Sequence, residues 1–468
     1  MNKNHNGIES QMDKKSFTRK MLYIAVPIMV QALIAASVNL IDTLMVGKLG
    51  ESAIASLGVA NQYFMLYLMA VKGIYAGVGI FISQYWGKKD IFRIKAFTVL
   101  NLKLGIMLTI FFVLAGSLMP KYIMAMFTTD GEVIQLGASY LTIVVISYMP
   151  YTIAEGFSNT SRNVGRTVFP MIASVAALCV NVVLNYGLIY GKIGMPALGV
   201  QGAAVATLIA RVTEMAIVLL VVYFNYKDIA VSFKDFIKSS RDVFSQVAAP
   251  MSQVVLNDVF WGLGMTIYTM IYGRIGTGAL ASVQIMTTVQ NLFITVIMAI
   301  STAACVMIGN QIGEGNYKLV KEQAFYFIRI VAGVTLIIGV FVGAAINPIL
   351  SFFTIEAGVR QSAELLLYIT AAFMPIRGLG ILFIIGILRG GGDAKSALRI
   401  ELFTMWIIGV PACYLGAIIL GWPVEKVYLL VMAEEIVKLL LTFTRFRKGE
   451  WINDFTQERE MKIVKEVN

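Results

Sequence analysis

The sequence predicts an all-α polytopic membrane protein whose twelve transmembrane helices form two six-helix lobes, related by a pseudo-two-fold axis along the membrane normal. This prediction rests on the composition, the spacing of long apolar segments and an internal repeat. Of the 468 residues, 58% are hydrophobic and only 14% are charged, whereas a soluble protein has about 25% charged residues. The mean hydropathy of +0.77 indicates a chain that is solvated mostly by lipid.

Apolar segments of about 20 residues or more recur along nearly the whole chain, and each is long enough to cross a hydrocarbon core of about 30 Å. Glycine, proline and clustered charges mark the breaks between them. The predicted helices are 21–46, 53–83, 92–117, 136–160, 167–190, 199–224, 242–272, 279–310, 318–346, 359–388, 395–420 and 424–444.

Lysine and arginine residues indicate the orientation of these helices. If the N-terminus is cytoplasmic, the cytoplasmic segments hold 26 of the 38 Lys and Arg residues, and the six opposite loops hold one each. Because basic loops stay in the cytoplasm, we expect a multi-pass protein of the cytoplasmic (inner) cell membrane with both termini cytoplasmic. The net charge of +11 then faces anionic lipid rather than nucleic acid.

The chain is also a doubled unit. The segment VGKLGESAIASLGV at 46–59 matches YGRIGTGALASVQI at 272–285, and ISQYWGKKD at 82–90 matches IGNQIGEGN at 308–316, both at an offset of 226. Six helices per repeat, an even number, give both repeats the same orientation, with a central cleft between the lobes. Such lobes around a cleft are typical of alternating-access transporters.

The repeat and the charges divide the chain into five parts. The linker is read as carrying a short interfacial helix, with disorder as the alternative. The parts are a cytoplasmic leader (1–20), an N-terminal lobe (21–224), a cytoplasmic linker (225–241), a C-terminal lobe (242–444) and a cytoplasmic tail (445–468).

Catalytic chemistry has little support in this sequence. The single histidine, His5, lies in the polar leader. The cysteines Cys179, Cys305 and Cys413 lie in separate apolar segments, where they are interpreted as small hydrophobic residues. We therefore expect neither an enzyme nor a cofactor.

Charged side chains inside apolar segments are costly, about 2.5–3.5 kcal/mol each on insertion scales, and are therefore candidates for function. Asp42 is the clearest of them, because no basic residue of its own helix lies near it. Gln31, Ala35, Asn39 and Asp42 share one helical stripe of small and polar residues. Lys72, in the next helix, is expected to reach an interface or to pair with an acid rather than to bind substrate.

Further oxygen atoms come from two later helices of the same lobe. Asn181 and Asn185 lie four residues apart and so share a helix face, and Thr207 adds a hydroxyl. Carboxylate, amide and hydroxyl oxygens are hard ligands of the kind that Na⁺ needs, whereas a proton needs only the carboxylate of Asp42. Hydrogen bonding between helices is the alternative role of the asparagines.

The second lobe has an acid of its own in QVVLNDVFWGLGM. Asp258 follows Asn257, and Trp261 and Met265 lie one and two turns further along its stripe. A carboxylate beside an aromatic ring and a thioether favours an organic cation. A hydrogen bond between the lobes is the alternative.

The ordered set NLIDTLMVGKLG, VNVVLNYGLIYG, LGVQGAAVATLIAR, GMTIYTMIYGRIGTGALAS and GNQIGEGN resembles the multidrug and toxic compound extrusion (MATE) transporters, from about residue 20 to residue 452. The resemblance implies Na⁺- or H⁺-driven antiport that carries amphiphilic, often cationic compounds outwards. It also implies a cation site formed by Asp42, Asn181, Asn185 and Thr207. Some members have a second acid where Asn185 stands here, which leaves Asp42 as the only acid of this site.

The remaining expectations concern the substrate and the assembly. Asp258 resembles an acidic residue on the family's seventh helix, which is Glu in other members. We expect a monomer, and a flippase for lipid-linked sugars from the same superfamily is the alternative function, expected to have a more basic central cavity. The predicted substrate-binding residues are Gln31, Asn39, Asn257, Asp258, Trp261 and Met265.

Overall fold

The computed structural model describes residues 13–238, 241–353 and 355–457. Twelve long helices account for most of them, and the predicted helix order is confirmed with bounds that differ by a few residues. The helices are α1 (Lys14–Gly47), α2 (Glu51–Gly87), α3 (Ile91–Leu118), α4 (Gly131–Asn163), α5 (Val168–Tyr190), α6 (Val200–Asn225), α7 (Arg241–Ile275), α8 (Thr277–Gly313), α9 (Tyr317–Ser351), α10 (Ala357–Leu388), α11 (Ala394–Ile419) and α12 (Val424–Lys448).

Short segments connect these helices. A six-residue helix, Phe233–Lys238, lies in the predicted linker, and another, Pro120–Ala125, follows α3. Most of the predicted leader and the end of the predicted tail lie outside the described residues. The remainder of the leader belongs to α1, because Asp13 caps that helix by accepting a hydrogen bond from the Lys15 amide at 3.0 Å. The predicted helix began at residue 21 rather than at Lys14, because the first turns of α1 are polar and hydropathy does not detect them.

The last helix is less apolar than the others. Among the described residues, eleven helices are long and apolar enough to cross a membrane, and α12 is not one of them. It carries Glu434, Glu435 and Lys438, which are all buried. The Lys438 Nζ lies 3.0 Å from a carboxylate oxygen of Glu434 and 3.1 Å from one of Glu401 on α11. These charges therefore face partners inside the C-terminal lobe rather than lipid.

Helix α1 connects the two lobes. Its first turns bury Phe17, Met21 and Ile24 in an apolar cluster formed by α8, α9 and α10 of the C-terminal lobe. The Phe17 ring lies 4.9 Å from the ring of Phe327 on α9. The second half of α1 packs instead against α5 of the N-terminal lobe and carries Asp42 there. A shift of one lobe relative to the other must therefore act on α1.

The lobes touch where α2 and α8 end. A Cβ atom on Gly87 would lie 1.9 Å from the Asn310 carbonyl oxygen, and one on Gly313 would lie 1.7 Å from the Gln84 carbonyl oxygen. The offset of 226 relates Gly87 to Gly313 and Gln84 to Asn310. These are therefore two copies of one backbone contact, as a two-fold relation between the repeats requires. Only glycine allows the helices to approach this closely.

Away from this contact the same two helix faces are exposed. Gln284, Thr288 and Asn291 are exposed on α8, and the 3.6-residue period places them on the face that carries Gly309 and Gly313. On α2, Gln62 and Met65 are exposed on the helix face that contacts α8 further along. Lys72 is exposed as well, next to this face. The lobes therefore enclose a cleft that is closed on the side of the chain termini, here called the terminus side, and opens on the other side.

The segment after α12, here called the C-terminal strap (449–457), crosses the closed side and contacts both lobes. In the N-terminal lobe, the Gln84 side chain donates to the Asn453 carbonyl at 2.9 Å. The Phe455 ring stacks on Phe81 with 4.5 Å between centroids. In the C-terminal lobe, the Asn453 amide donates to the Gly391 carbonyl at 2.7 Å. The strap therefore fastens the lobes together in this conformation.

Trp451 anchors the strap, since its side chain is 0% exposed and packs within the C-terminal cluster. We expect Trp451→Ala to destabilise the detergent-solubilised protein by about 3–5 kcal/mol, because it leaves a large cavity. Thermal unfolding measures this effect. Trp422→Ala is the matched control, since Trp422 is 38% exposed, and an equal fall in Tm for both variants would contradict the anchoring role.

Candidate functional site

The candidate site surrounds Asp42, whose side chain is only 6% exposed. The Asn185 side chain on α5 donates to the Asp42 carboxylate at 2.5 Å and to the side-chain oxygen of Asn181 at 3.1 Å. Asn181 in turn donates to the hydroxyl of Thr207 on α6 at 3.4 Å. The structure thus brings the four predicted cation-site residues together in one hydrogen-bonded chain across three helices.

Local sequence explains why these side chains meet. Asn181 and Asn185 are one helical turn apart, so both point from α5 towards the same neighbours. On α6, Ala203, Ala204 and Ala206 are completely buried, and small residues of this kind let membrane helices pack closely. The Thr207 hydroxyl therefore reaches the asparagines without a long side chain.

The site offers oxygen atoms to a cation. The Asn185 side-chain oxygen is buried and has no hydrogen-bond partner among the described residues, although the adjacent carboxylate is engaged. An unsatisfied buried acceptor is costly, so a bound cation would relieve this cost. Tyr140 on α4 is buried close to Thr207 and Asp42 and therefore also belongs to this site. No motif marked this tyrosine in the sequence.

A cavity extends from this site along α1, α5 and α6. Its lining includes Gln31, Asn181, Thr207, Arg211 and Glu214. The Gln31 amide donates to the Ser174 hydroxyl at 3.4 Å, and that hydroxyl donates to Glu214 at 2.7 Å. Gln31 therefore lines this cavity, and its substrate-binding role stays a prediction. Asn39, predicted on the same stripe, is exposed and does not line the cavity.

The other charges of this lobe are mostly paired. Arg211 lies 2.7 Å from Glu214, and Arg162 forms an ion pair with Glu155. Lys72 has no ion pair among the described residues, and its side chain is exposed. Of the two alternatives expected for Lys72, a pair with an acid of its lobe is not observed among the described residues, because the nearby glutamates are already held by arginines.

In the second lobe, Asp258 is paired rather than free. The Arg389 guanidinium donates to the Asp258 carboxylate at 2.6 Å and also to the side-chain oxygen of Asn257. Trp261 is 45% exposed, and Met265 packs against the apolar cluster of α7 and α12. Because Arg389 neutralises the carboxylate, Asp258 offers no free negative charge to an organic cation. The substrate-binding role of these four residues stays a prediction.

The sequence contained one signal for this pairing. In the internal repeat, Arg389 corresponds to Arg162, and Arg162 pairs with Glu155 in the first lobe. The predicted helix 359–388 ends just before Arg389, so this residue was assigned to a cytoplasmic loop and its pairing with Asp258 was not expected.

The second lobe does not repeat the arrangement around Asp42. The offset of 226 places Tyr268 at the equivalent position, and its hydroxyl donates to Glu434 at 2.5 Å. Lys438 and Arg377 surround the glutamates of this region, with Arg377 lying 3.6 Å from Glu435. The buried glutamates of this region are thus held by two cations, whereas Asp42 accepts from the neutral amide of Asn185.

Comparisons with known proteins agree with this architecture. A family model described as MatE matches residues 27–187 and 254–415, one stretch in each lobe and more than half of the chain in total. The uncharacterized transporter YisQ of Bacillus subtilis is 25% identical over 91% of this chain and 93% of its own. The probable multidrug resistance protein NorM of Thermotoga maritima is 24% identical over 96% of each chain.

A solved structure is similar as well. The Vibrio cholerae MATE transporter VcmN in the bent form superposes with a TM-score of 0.85, covering 94% of this chain and 99% of that chain at 19% identity. This likeness supports the two-lobed helical fold described above.

Proposed function

The chain belongs to the MatE family of membrane transporters, and from this premise we propose that it is a secondary active antiporter that exports amphiphilic organic compounds in exchange for Na⁺ or H⁺. The observation that carries the proposal is the buried carboxylate of Asp42, which accepts from the Asn185 amide and has no basic side chain in hydrogen-bond contact among the described residues. Such a group can take up one monovalent cation and release it again.

The arrangement of the lobes supports alternating access. The cleft is closed on the terminus side by the α2–α8 contact and the C-terminal strap, and it is open on the other side. With the predicted cytoplasmic termini, this is an outward-open conformation. The inward-open conformation requires α2 to separate from α8 and the strap to leave one lobe.

Coupling requires that the cation and the substrate bias the same conformational equilibrium, since a ligand with equal affinity for both states shifts nothing. Helix α1 is suited to this role, because one half packs in each lobe. Occupancy of Asp42 changes the charge on the half that faces the N-terminal lobe. The resulting change in hydrogen bonding to α5 can alter how α1 joins the lobes.

Export is preferred over the flippase alternative. The matched family model is MatE, and relatives such as those of Thermotoga maritima and Agrobacterium fabrum are named probable multidrug resistance proteins. The choice between Na⁺ and H⁺, the cytoplasmic location of the termini and the monomeric state remain predictions.

The neutral ligands offer a way to identify the coupling ion. A proton needs only the carboxylate, whereas Na⁺ needs several oxygens. We expect Asn181→Ala, Asn185→Ala and Thr207→Ala to weaken Na⁺-driven flux and to affect proton-driven flux less. Asn39→Ala is the matched control, since Asn39 is exposed on the same helix as Asp42.

The measurement is substrate flux in proteoliposomes with Na⁺ and pH gradients imposed separately. If the wild-type protein transported no substrate under either gradient, the proposed antiport would be contradicted. Equal losses in the Asn39 control and in the three site variants would contradict the assignment of the ligands.

A further inference from the structure

We propose that the exported compound is an amphiphilic organic anion, and that Lys72 on the wall of the cleft binds its negatively charged group. This inference rests on the proposed export function and names the substrate class. It replaces the cationic substrate that the family resemblance implied.

The position of Lys72 is the first argument. It lies beside the face on which α2 packs against α7, since Gly73 contacts Val255 and Met69 contacts Gly262. Lys72 is 15 residues from the end of α2 at Gly87, or about 22 Å at 1.5 Å per residue. A lysine side chain cannot reach that end, so the ammonium group stays within the cleft.

The pairing of the other charges is the second argument. The acids near the cleft have arginine partners: Glu155 with Arg162, Glu214 with Arg211, and Asp258 with Arg389. Each of these pairs is neutral overall. The described residues place no carboxylate within ion-pair distance of Lys72. Lys72 therefore adds one uncompensated positive charge to the cleft.

The rest of the cleft surface indicates what else the substrate needs. The exposed face of α8 presents Gln284, Thr288 and Asn291, which are neutral hydrogen-bonding groups. On α2, Met65 is exposed and Met69 is half-buried, and methionine side chains adapt to apolar ligands of varied shape. A carboxylate, sulfonate or phosphate attached to an apolar body fits this surface. An organic cation would meet the charge of Lys72, whereas the carboxylate of Asp42, which has no basic partner in hydrogen-bond contact among the described residues, is buried at the proposed cation site.

The experiment compares two dyes that share a xanthene core and differ in charge, the anionic carboxyfluorescein and the cationic rhodamine 123. Binding to the full-length protein in detergent is measured by fluorescence polarisation. We expect the wild type to bind carboxyfluorescein at least about tenfold more tightly than rhodamine 123, a difference of about 1.4 kcal/mol. Lys72→Met should remove this preference, Lys72→Arg should retain it, and Lys72→Glu should reverse it.

Lys103→Met is the matched control. Lys103 also lies in an apolar helix, but its ammonium group lies 5.4 Å from the centre of the Phe236 ring in the linker, away from the cleft. This variant should bind both dyes as the wild type does. Tighter wild-type binding of rhodamine 123, binding of neither dye, or unchanged carboxyfluorescein binding by Lys72→Met would overturn the proposal.

The binding measurement needs no ion gradient and is therefore separate from the test of transport. Charge-selective binding without gradient-driven accumulation in proteoliposomes would contradict the proposed antiport and support the role of Lys72. Gradient-driven export of rhodamine 123 in preference to carboxyfluorescein would support antiport and contradict the role of Lys72.

Discussion

Proteoliposomes that contain the Asp42→Asn variant are expected to show no gradient-driven accumulation of substrate, under either a Na⁺ or a proton gradient. The substitution keeps the size of the side chain and an oxygen that can accept from Asn185, which now donates at 2.5 Å. It removes the charge that attracts Na⁺ and the group that takes up a proton. Because Asp42 is the only acid among the proposed ligands, no neighbouring ligand replaces it.

The variant should nevertheless fold, since its hydrogen-bonded chain to Asn181 and Thr207 can remain intact. The controls are thermal unfolding in detergent and equilibrium binding of the substrate, both of which we expect to stay close to the wild type. Asp42→Glu keeps the charge and should retain part of the coupled flux. Accumulation at the wild-type level by Asp42→Asn under either gradient would refute the role of this carboxylate.

Gly313→Ala is expected to prevent the lobes from closing on the terminus side. The added methyl group would lie 1.7 Å from the Gln84 carbonyl oxygen, and backbone atoms of two long helices cannot move aside as a flexible side chain does. Overpacking of this kind costs about 1–3 kcal/mol, and each 1.4 kcal/mol changes a conformational equilibrium roughly tenfold. The variant should therefore lose most of the population closed on the terminus side, and with it the transport cycle.

The matched control is Gly333→Ala on α9. A Cβ atom there meets nothing within 4 Å, and alanine in an exposed helix interior is favoured over glycine by about 1 kcal/mol. Gly333→Ala should therefore transport normally and unfold at the same or a higher temperature. The two variants differ only in what the added methyl group meets.

Spin labels can report the closure directly. Phe92, at the start of α3, and Glu322, in the first turns of α9, are exposed on the terminus side of opposite lobes. In a background with the native cysteines replaced, labels at these positions should lie further apart in Gly313→Ala than in the wild type. An unchanged distance distribution together with normal flux would contradict the proposed closure.

Much of the fold could be predicted from the sequence because its signals are local. Hydropathy over about 20 residues decides whether a helix can lie in lipid, and this placed the twelve helices within a few residues of their observed bounds. The signal misses the polar first turns of α1 and is weakest along the charged helix α12. There the burial of the side chains depends on partners elsewhere in the chain.

The candidate cation site was accessible to sequence reasoning for a related reason. Asn181 and Asn185 share a helix face by periodicity alone, and Asp42 was conspicuous as a lone charge in an apolar segment. The family resemblance then linked these residues to Thr207. Tyr140 was missed, because a tyrosine in an apolar helix does not indicate which neighbour its hydroxyl will face.

What the sequence determines by itself is the solvent of the chain, the number and order of its helices, the duplication and the identity of its unusual charges. Only the tertiary structure decides which charges on different helices neutralise one another. Asp258 and Arg389 are 131 positions apart in the chain, and no helical period relates them. Their pairing depends on how α7 packs beside the end of α10. The glutamates near Lys72 pair instead with arginines of their own helices, Glu155 with Arg162 and Glu214 with Arg211. Among the described residues the fold brings no further carboxylate within ion-pair distance of Lys72, because compensation between helices depends on distances in space.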